Sequence, residues 1–97
     1  MKVTVARIYV TEGKKVHEPI FVHLHDVEKV RGVTIFRGIS GFGNKGHVHS
    51  SSLLDISLNL PVVIEFFDAP DKVREALDHI QHLLKPGHVI TYSAELS

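Results

Sequence analysis

Residues 41–46 read GFGNKG and match G-x-G-x-x-G letter for letter. In that pattern glycines bring the backbone close to a pyrophosphate held at a helix N-terminus. The chemistry requires a strand before the loop and a helix directly after it. The strand is present as VTIFR, 33–37, but HVHSSSLLDISLNLP after Gly46 has no helical period and ends in a β-like alternation. A Walker-type loop fails as well, because Gly38-x4-Gly43 is followed by Asn44 rather than Lys. Neither motif stands, yet two uses of the segment remain open. Gly38, Gly41, Gly43 and Gly46 permit positive φ and close approach to a ligand, and consecutive N–H groups can cradle an anion. Arg37 and Lys45 would add charge to such a cradle. The alternative is a hairpin linker whose glycines serve only turns, and the spacing alone tilts slightly that way.

Eight histidines in 97 residues are the second chemical feature. His47 and His49 are two apart, so an extended backbone would point both rings to one side, the beginning of a zinc, copper or nickel site. A third ligand would have to come from elsewhere in the chain or from another copy. His79 and His82 share a helical face with Glu75 one turn earlier, whereas His23 and His25 do not share one. Surface or hydrogen-bonding roles are expected for most of these rings. Ser50–Ser52 beside His49 read as turn formers rather than nucleophiles. No catalytic triad is legible, and no enzyme activity is expected.

These groups must be positioned by a small protein, expected to be a single domain over residues 1–97. Lys plus Arg balance Asp plus Glu at 11 each, so no basic field attracts nucleic acid. Cysteine is absent, which excludes disulfides and thiolate metal sites. No apolar run approaches the ~18 residues that a membrane span requires, so no direct membrane insertion is expected. MKVTVARIYV alternates too strongly for a signal segment. The expectation is a soluble, cytoplasmic protein.

Periodicity gives the elements. A β-branched strand is expected near Lys2–Val10, then a helix from Glu18 to Arg31 with Pro19 in its first turn and Gly32 as its stop. Val16, Ile20, Leu24, Val27 and Val30 would form the helix's apolar stripe. A short strand follows at Val33–Arg37, then loop from Gly38 to Ser52. Residues 53–60 alternate ambiguously, and PVVIEFF, 61–67, is the clearest strand. A second helix is expected over Pro70–Leu84, capped by Asp68, burying Val73, Ala76, Leu77, Ile80, Leu83 and Leu84. Lys85-Pro86-Gly87 ends it, before a last strand in VITYSAEL.

The order β-α-β-β-α-β predicts an α+β, ferredoxin-like fold: a four-stranded antiparallel sheet with two helices on one face. Alternation sorts Ala6, Ile8, Val10, Val62, Ile64 and Phe66 beneath the helices. The opposite face takes Val5, Arg7, Tyr9, Val63, Glu65 and Phe67. That second face is too apolar for water, and it carries Arg7 and Glu65, opposite charges suited to pairing. It reads as a subunit interface, the alternative being a single-copy protein with one half-wet sheet face.

At this point the central stretch, residues 32–68, resembles the signature of the PII-like proteins catalogued as domain of unknown function 190. The pieces are Gly32, Thr34, Arg37-Gly38, Gly41-Phe42-Gly43, His49-Ser50, Leu60-Pro61, Glu65 and Asp68, in order. The resemblance implies a ferredoxin-like homotrimer with adenine nucleotides (AMP, ADP or ATP) bound in inter-subunit clefts. The phosphates would meet Arg37–Gly46 and Lys85–His88. The ligand-binding set implied is therefore Arg37, Gly38, Gly41, Phe42, Gly43, Lys45, His49, Lys85 and Gly87. LLKPGHV is shorter than the corresponding loop of classical PII, and the long loop has no tyrosine, so uridylylation-type control is not implied. The resemblance further implies a signalling module whose 38–52 loop responds to ligand and engages a target, such as a membrane transport protein or an enzyme. A second reading is a CutA-like divalent metal-binding protein using His47 and His49. Acylphosphatases share the length and element order, but TEGKK lacks their phosphate-binding Arg and VTIFR their Asn.

Overall fold

A computed structural model describes residues 1–11, 15–42, 48–50 and 60–97. Its elements are β1 (Lys2–Thr11), α1 (His17–His23), β2 (Gly32–Arg37), β3 (Ser40–Phe42), β4 (Val48–Ser50), β5 (Pro61–Asp68), α2 (Pro70–His79) and β6 (Val89–Glu95). A π-turn over Leu24–Glu28 continues α1, and a 3-10 turn over Gln81–Leu83 follows α2. The main sheet has the order β2-β5-β1-β6, with antiparallel neighbours throughout. Two parallel β-α-β units, β1-α1-β2 and β5-α2-β6, are thus interleaved, which is the ferredoxin-like arrangement.

Strand alternation divides the sheet as the sequence implies. Ala6, Ile8, Ile64 and Phe66 are fully buried against Ile20 and Leu24 of the first helical segment and Val73, Ala76 and Ile80 of the second. Each large apolar side chain so buried contributes about 1.5–3 kcal/mol. The layer holds because both helices turn their apolar stripes toward the same sheet face.

Three boundaries differ from expectation, each for a local reason. The first helix does not run regularly to Arg31. Its last turn widens to a π-turn and ends at Lys29, which takes the left-handed conformation at φ 54. Gly32 is the first residue of β2 rather than the helix stop. The widened turn removes Val27 from the predicted stripe: its side chain is 63% exposed, while Glu28 is buried. The second helix ends at His79, and Ile80 breaks its regularity before the 3-10 turn. Finally, Ala69 occupies the N-cap position of α2 without a side-chain cap. The Asp68 carboxylate instead accepts the Arg31 N–H at 3.1 Å and the Ala69 N–H at 2.7 Å, joining the start of β2 to the end of β5.

The segment expected as loop from Gly38 to Ser52 contains the small antiparallel pair β3–β4, with Gly41 opposite His49. The alternating stretch 53–59 lies outside the described residues.

Candidate functional site

One end of the main sheet collects the residues that the sequence singles out. Arg37 pairs with Val62, Pro61 with Thr11, and the Tyr9 N–H donates to the His88 carbonyl at 2.9 Å. Arg37–Phe42 therefore emerges at the β2 edge and the Lys85–His88 turn at the β6 edge, both at the same end. Three strand spacings separate these edges, about 14 Å in all. Within one chain the two segments share an end of the sheet and stand at its opposite edges.

Both segments have definite local causes. At the β2 edge the Gly38 N–H donates to the Pro61 carbonyl at 2.7 Å. A Cβ on Gly38 would stand 2.8 Å from Pro61 Cγ, and one on Gly41 would stand 3.3 Å from the same atom. Gly38 is needed because the proline ring presses on its backbone, and Gly41 sits close against the same ring. Neither Gly38 nor Gly41 uses the positive φ that glycine permits. At the β6 edge Lys85-Pro86-Gly87-His88 is a type II turn. Pro86 and Gly87 take the two central positions, Gly87 has φ 79, and the His88 N–H donates to the Lys85 carbonyl at 3.2 Å. Gly87 thus has a turn function of its own. Phe42 is exposed at the end of β3, and His49 lies in β4 opposite Gly41. Gly43, Lys45 and His47 lie outside the described residues, so the His47/His49 pair has no described geometry.

Three cross-strand rows occupy the middle of the sheet face away from the helices. Phe36, Val63 and Tyr9 form one, Thr34, Glu65, Arg7 and Ile90 the next, and Gly32, Phe67, Val5 and Tyr92 the third. Arg7 and Glu65 are directly paired as expected, with Nε 3.3 Å from Oε1. Phe36, Ile90 and Tyr92 are exposed around this pair, and Arg7 also lies over the Tyr9 ring at 6.0 Å. The result is a broad apolar surface with one ion pair near its centre.

A second cluster lies in the helical layer, and sequence reasoning missed it. Glu28 is 3% exposed and is the only buried charged side chain among the described residues. Its Oε2 receives His23 Nε2 and His79 Nδ1, each at 2.7 Å. Burial alone would push this carboxyl up, but the hydrogen bonds from His79 and His23 outweigh burial and hold it below its ordinary value. The same hydrogen bond, reinforced by the carboxylate's charge, raises His79. The two rings meet edge to face, with centroids 6.5 Å apart. The sequence paired His79 with His82, but α2 ends at His79 and His82 sits exposed on the following 3-10 turn. His23 and His25 do point apart as expected, for His25 contacts Asp26 at 2.7 Å in an exposed position. The missed signal was His23 and Glu28 five residues apart, a spacing that a regular α-helix does not bring together and a π-turn does.

Among the described residues no helix is long and apolar enough to cross a membrane. The chain matches the DUF190 family, described as an uncharacterised ACR, over residues 3–96. A UPF0166 protein of Methanocaldococcus jannaschii is 30% identical over 94 residues, covering 93% of this chain and 86% of that one. Among solved structures, CPII of Thiomonas intermedia K12 superposes with TM-score 0.70 at 21% identity, over 99% of this chain and 89% of that one. It is described as a nitrogen regulatory PII-like protein bound to ADP, AMP and bicarbonate. The divalent ion tolerance protein CutA1 of Ehrlichia chaffeensis follows at TM-score 0.62 and 14% identity, over 98% of this chain and 81% of that one. Sequence match and fold agree: the chain belongs to the DUF190 family and has the ferredoxin-like fold that it shares with CPII and CutA1.

Proposed function

We propose that this single-domain protein is a PII-like regulatory module without enzyme activity. It assembles as a homotrimer and holds an adenine nucleotide in clefts between subunits. The observation that carries the reading is the separation of Arg37–Phe42 from Lys85–Gly87 at opposite edges of one sheet end. Strand edges about 14 Å apart in one chain require a second copy before both can border a single cleft. The apolar rows of the open face supply the surface on which copies associate, and the Arg7–Glu65 pair fixes their register. Support also comes from the ADP- and AMP-bound PII-like relative of the same fold.

In this reading Arg37, Gly38, Gly41, Phe42 and Gly43 border the phosphates from one side, with Lys45 and His49 further along the loop. Lys85 and Gly87 border them from the other. Occupancy selects one conformation of the 38–52 loop, and that conformation engages a target in the cytoplasm, a transporter or an enzyme. A ligand shifts such a loop only through unequal affinity for its two states.

Two measurements test the proposal. Light scattering should give three times the 10.8 kDa of the chain. Calorimetry with AMP, ADP and ATP should give saturable heat with at least one of them, weakened in Arg37→Ala. A lone 10.8 kDa particle, or no heat with any of the three at millimolar concentration, refutes it.

A further inference from the structure

We propose that His23, Glu28 and His79 form a binding site for a divalent transition metal, zinc in the first instance, clamped between the two helical segments. The proposal is independent of the nucleotide reading and of the loop histidines His47 and His49.

The donor set is the first argument. Two imidazoles and one carboxylate are the ligands of zinc sites that keep a position open for solvent, and the same trio binds ferrous iron. Hard ions such as magnesium or calcium prefer oxygen and are poorly served by two nitrogens.

The geometry is the second. The three donor atoms, one from each residue, all lie within 4.8 Å of one another. Bonds of about 2.0–2.2 Å in a tetrahedron place donors roughly 3.4 Å apart. The two 2.7 Å contacts to Glu28 Oε2 must therefore each open by roughly 0.7 Å, movements that the half-exposed His79 ring and the part-exposed His23 ring make by side-chain rotation. Glu28, buried at the bottom, stays fixed. His79 at 51% and His23 at 28% side-chain exposure leave an entry path and room for water as the remaining ligand.

Proton placement is the third. An ionised carboxylate oxygen only accepts, so both ring nitrogens that face Glu28 donate to it. A metal replaces those two protons. Each neutral imidazole presents a lone pair at the same nitrogen once its proton moves to the other ring nitrogen, Nδ1 of His23 and Nε2 of His79. No net proton is lost by neutral rings, and no oxidant is needed.

The backbone is the fourth. His23 and Glu28 flank a π-turn, and the next residue, Lys29, is a non-glycine at φ 54. Both features cost conformational energy and concentrate at functional sites. Here they deliver a carboxylate to the gap between α1 and α2, where a regular turn would not pair it with His23.

The test uses the full chain after chelator treatment. Calorimetric titration with zinc chloride should show one equivalent per chain, and cobalt(II) should give the visible absorption of a low-coordinate site with nitrogen ligands. His79→Ala and Glu28→Gln should each weaken zinc by about tenfold or more. His82→Ala and His47→Ala should leave it unchanged. His79 lies half-exposed, so His79→Ala decides the matter even where Glu28→Gln fails to fold. Absence of zinc binding by the wild type at 100-fold excess overturns the proposal. So does binding that survives His79→Ala, or that is lost in His47→Ala alone.

Discussion

Replacing Gly38 by alanine tests how the glycine loop is anchored. The added Cβ would stand 2.8 Å from Pro61 Cγ and 3.3 Å from Pro61 O. Carbon atoms pack at about 3.5–4.0 Å, so one of the two must retreat by roughly 0.7 Å or more. Retreat is difficult. Pro61 is held in β5 opposite Thr11, and its carbonyl already accepts the Gly38 N–H at 2.7 Å. Overpacking of this kind costs about 1–3 kcal/mol. For a domain of this size each kcal/mol lowers the melting temperature by about 4–8 °C. Gly38→Ala should therefore melt roughly 4–24 °C below the wild type at equal protomer concentration. The cause is isolated by a double-mutant cycle with Pro61→Ala, which removes the offending Cγ. A coupling of about 1 kcal/mol or more, in the direction of rescue, is expected. Gly87→Ala is the contrast: nothing lies within 4 Å of its Cβ, so its penalty comes from φ 79 alone and Pro61→Ala should not relieve it. Gly38→Ala melting with the wild type, or a cycle without coupling, would refute the steric account.

Further outcomes follow from the other contacts. In the metal-free protein, Glu28 lies below its ordinary 4.5, so its stabilisation is present above that pH and is lost as pH falls through the folded value. His79 lies above its ordinary 6.5, so its stabilisation is present below that pH and is lost as pH rises through the folded value. Melting temperature should thus contain a component that peaks between about pH 4.5 and 6.5 and disappears in Glu28→Gln. Asp68→Ala, which strands the Arg31 and Ala69 N–H groups, should cost about 1–2 kcal/mol in urea unfolding. Ile90→Glu places a charge on the exposed apolar face. It should shift the scattering mass toward a single chain while leaving the far-UV spectrum intact; unchanged mass would count against association through this face.

The fold was largely legible because the strongest signals were also the structural ones. Alternation in 61–67 and in β1 placed Ala6, Ile8, Ile64 and Phe66 under the helices, and cross-strand pairing put Arg7 against Glu65. Helical period found both helices but not their ends. Pattern analysis assumes an α-helical period throughout, and the π-turn violates it at Leu24–Glu28. The same violation concealed the site in the helical layer. His23, Glu28 and His79 come from two segments 51 residues apart in part, and their meeting depends on one widened turn. Spacing left the glycine loop between a ligand cradle and a hairpin linker, with the linker slightly favoured, whereas the contacts of Gly38 and Gly41 with Pro61 are a long-range packing fact that local spacing does not contain.

A π-turn differs from an α-turn by a single extra residue, so the widened end of the first helix is a removable part. Deleting exposed Val27 would let the segment rewind while Ile20 and Leu24, which precede it, kept their seats. Such a deletion would leave His23 and the carboxylate four residues apart, a spacing that a regular α-turn brings together, so the wide turn is one of two backbone solutions that can seat the same pair.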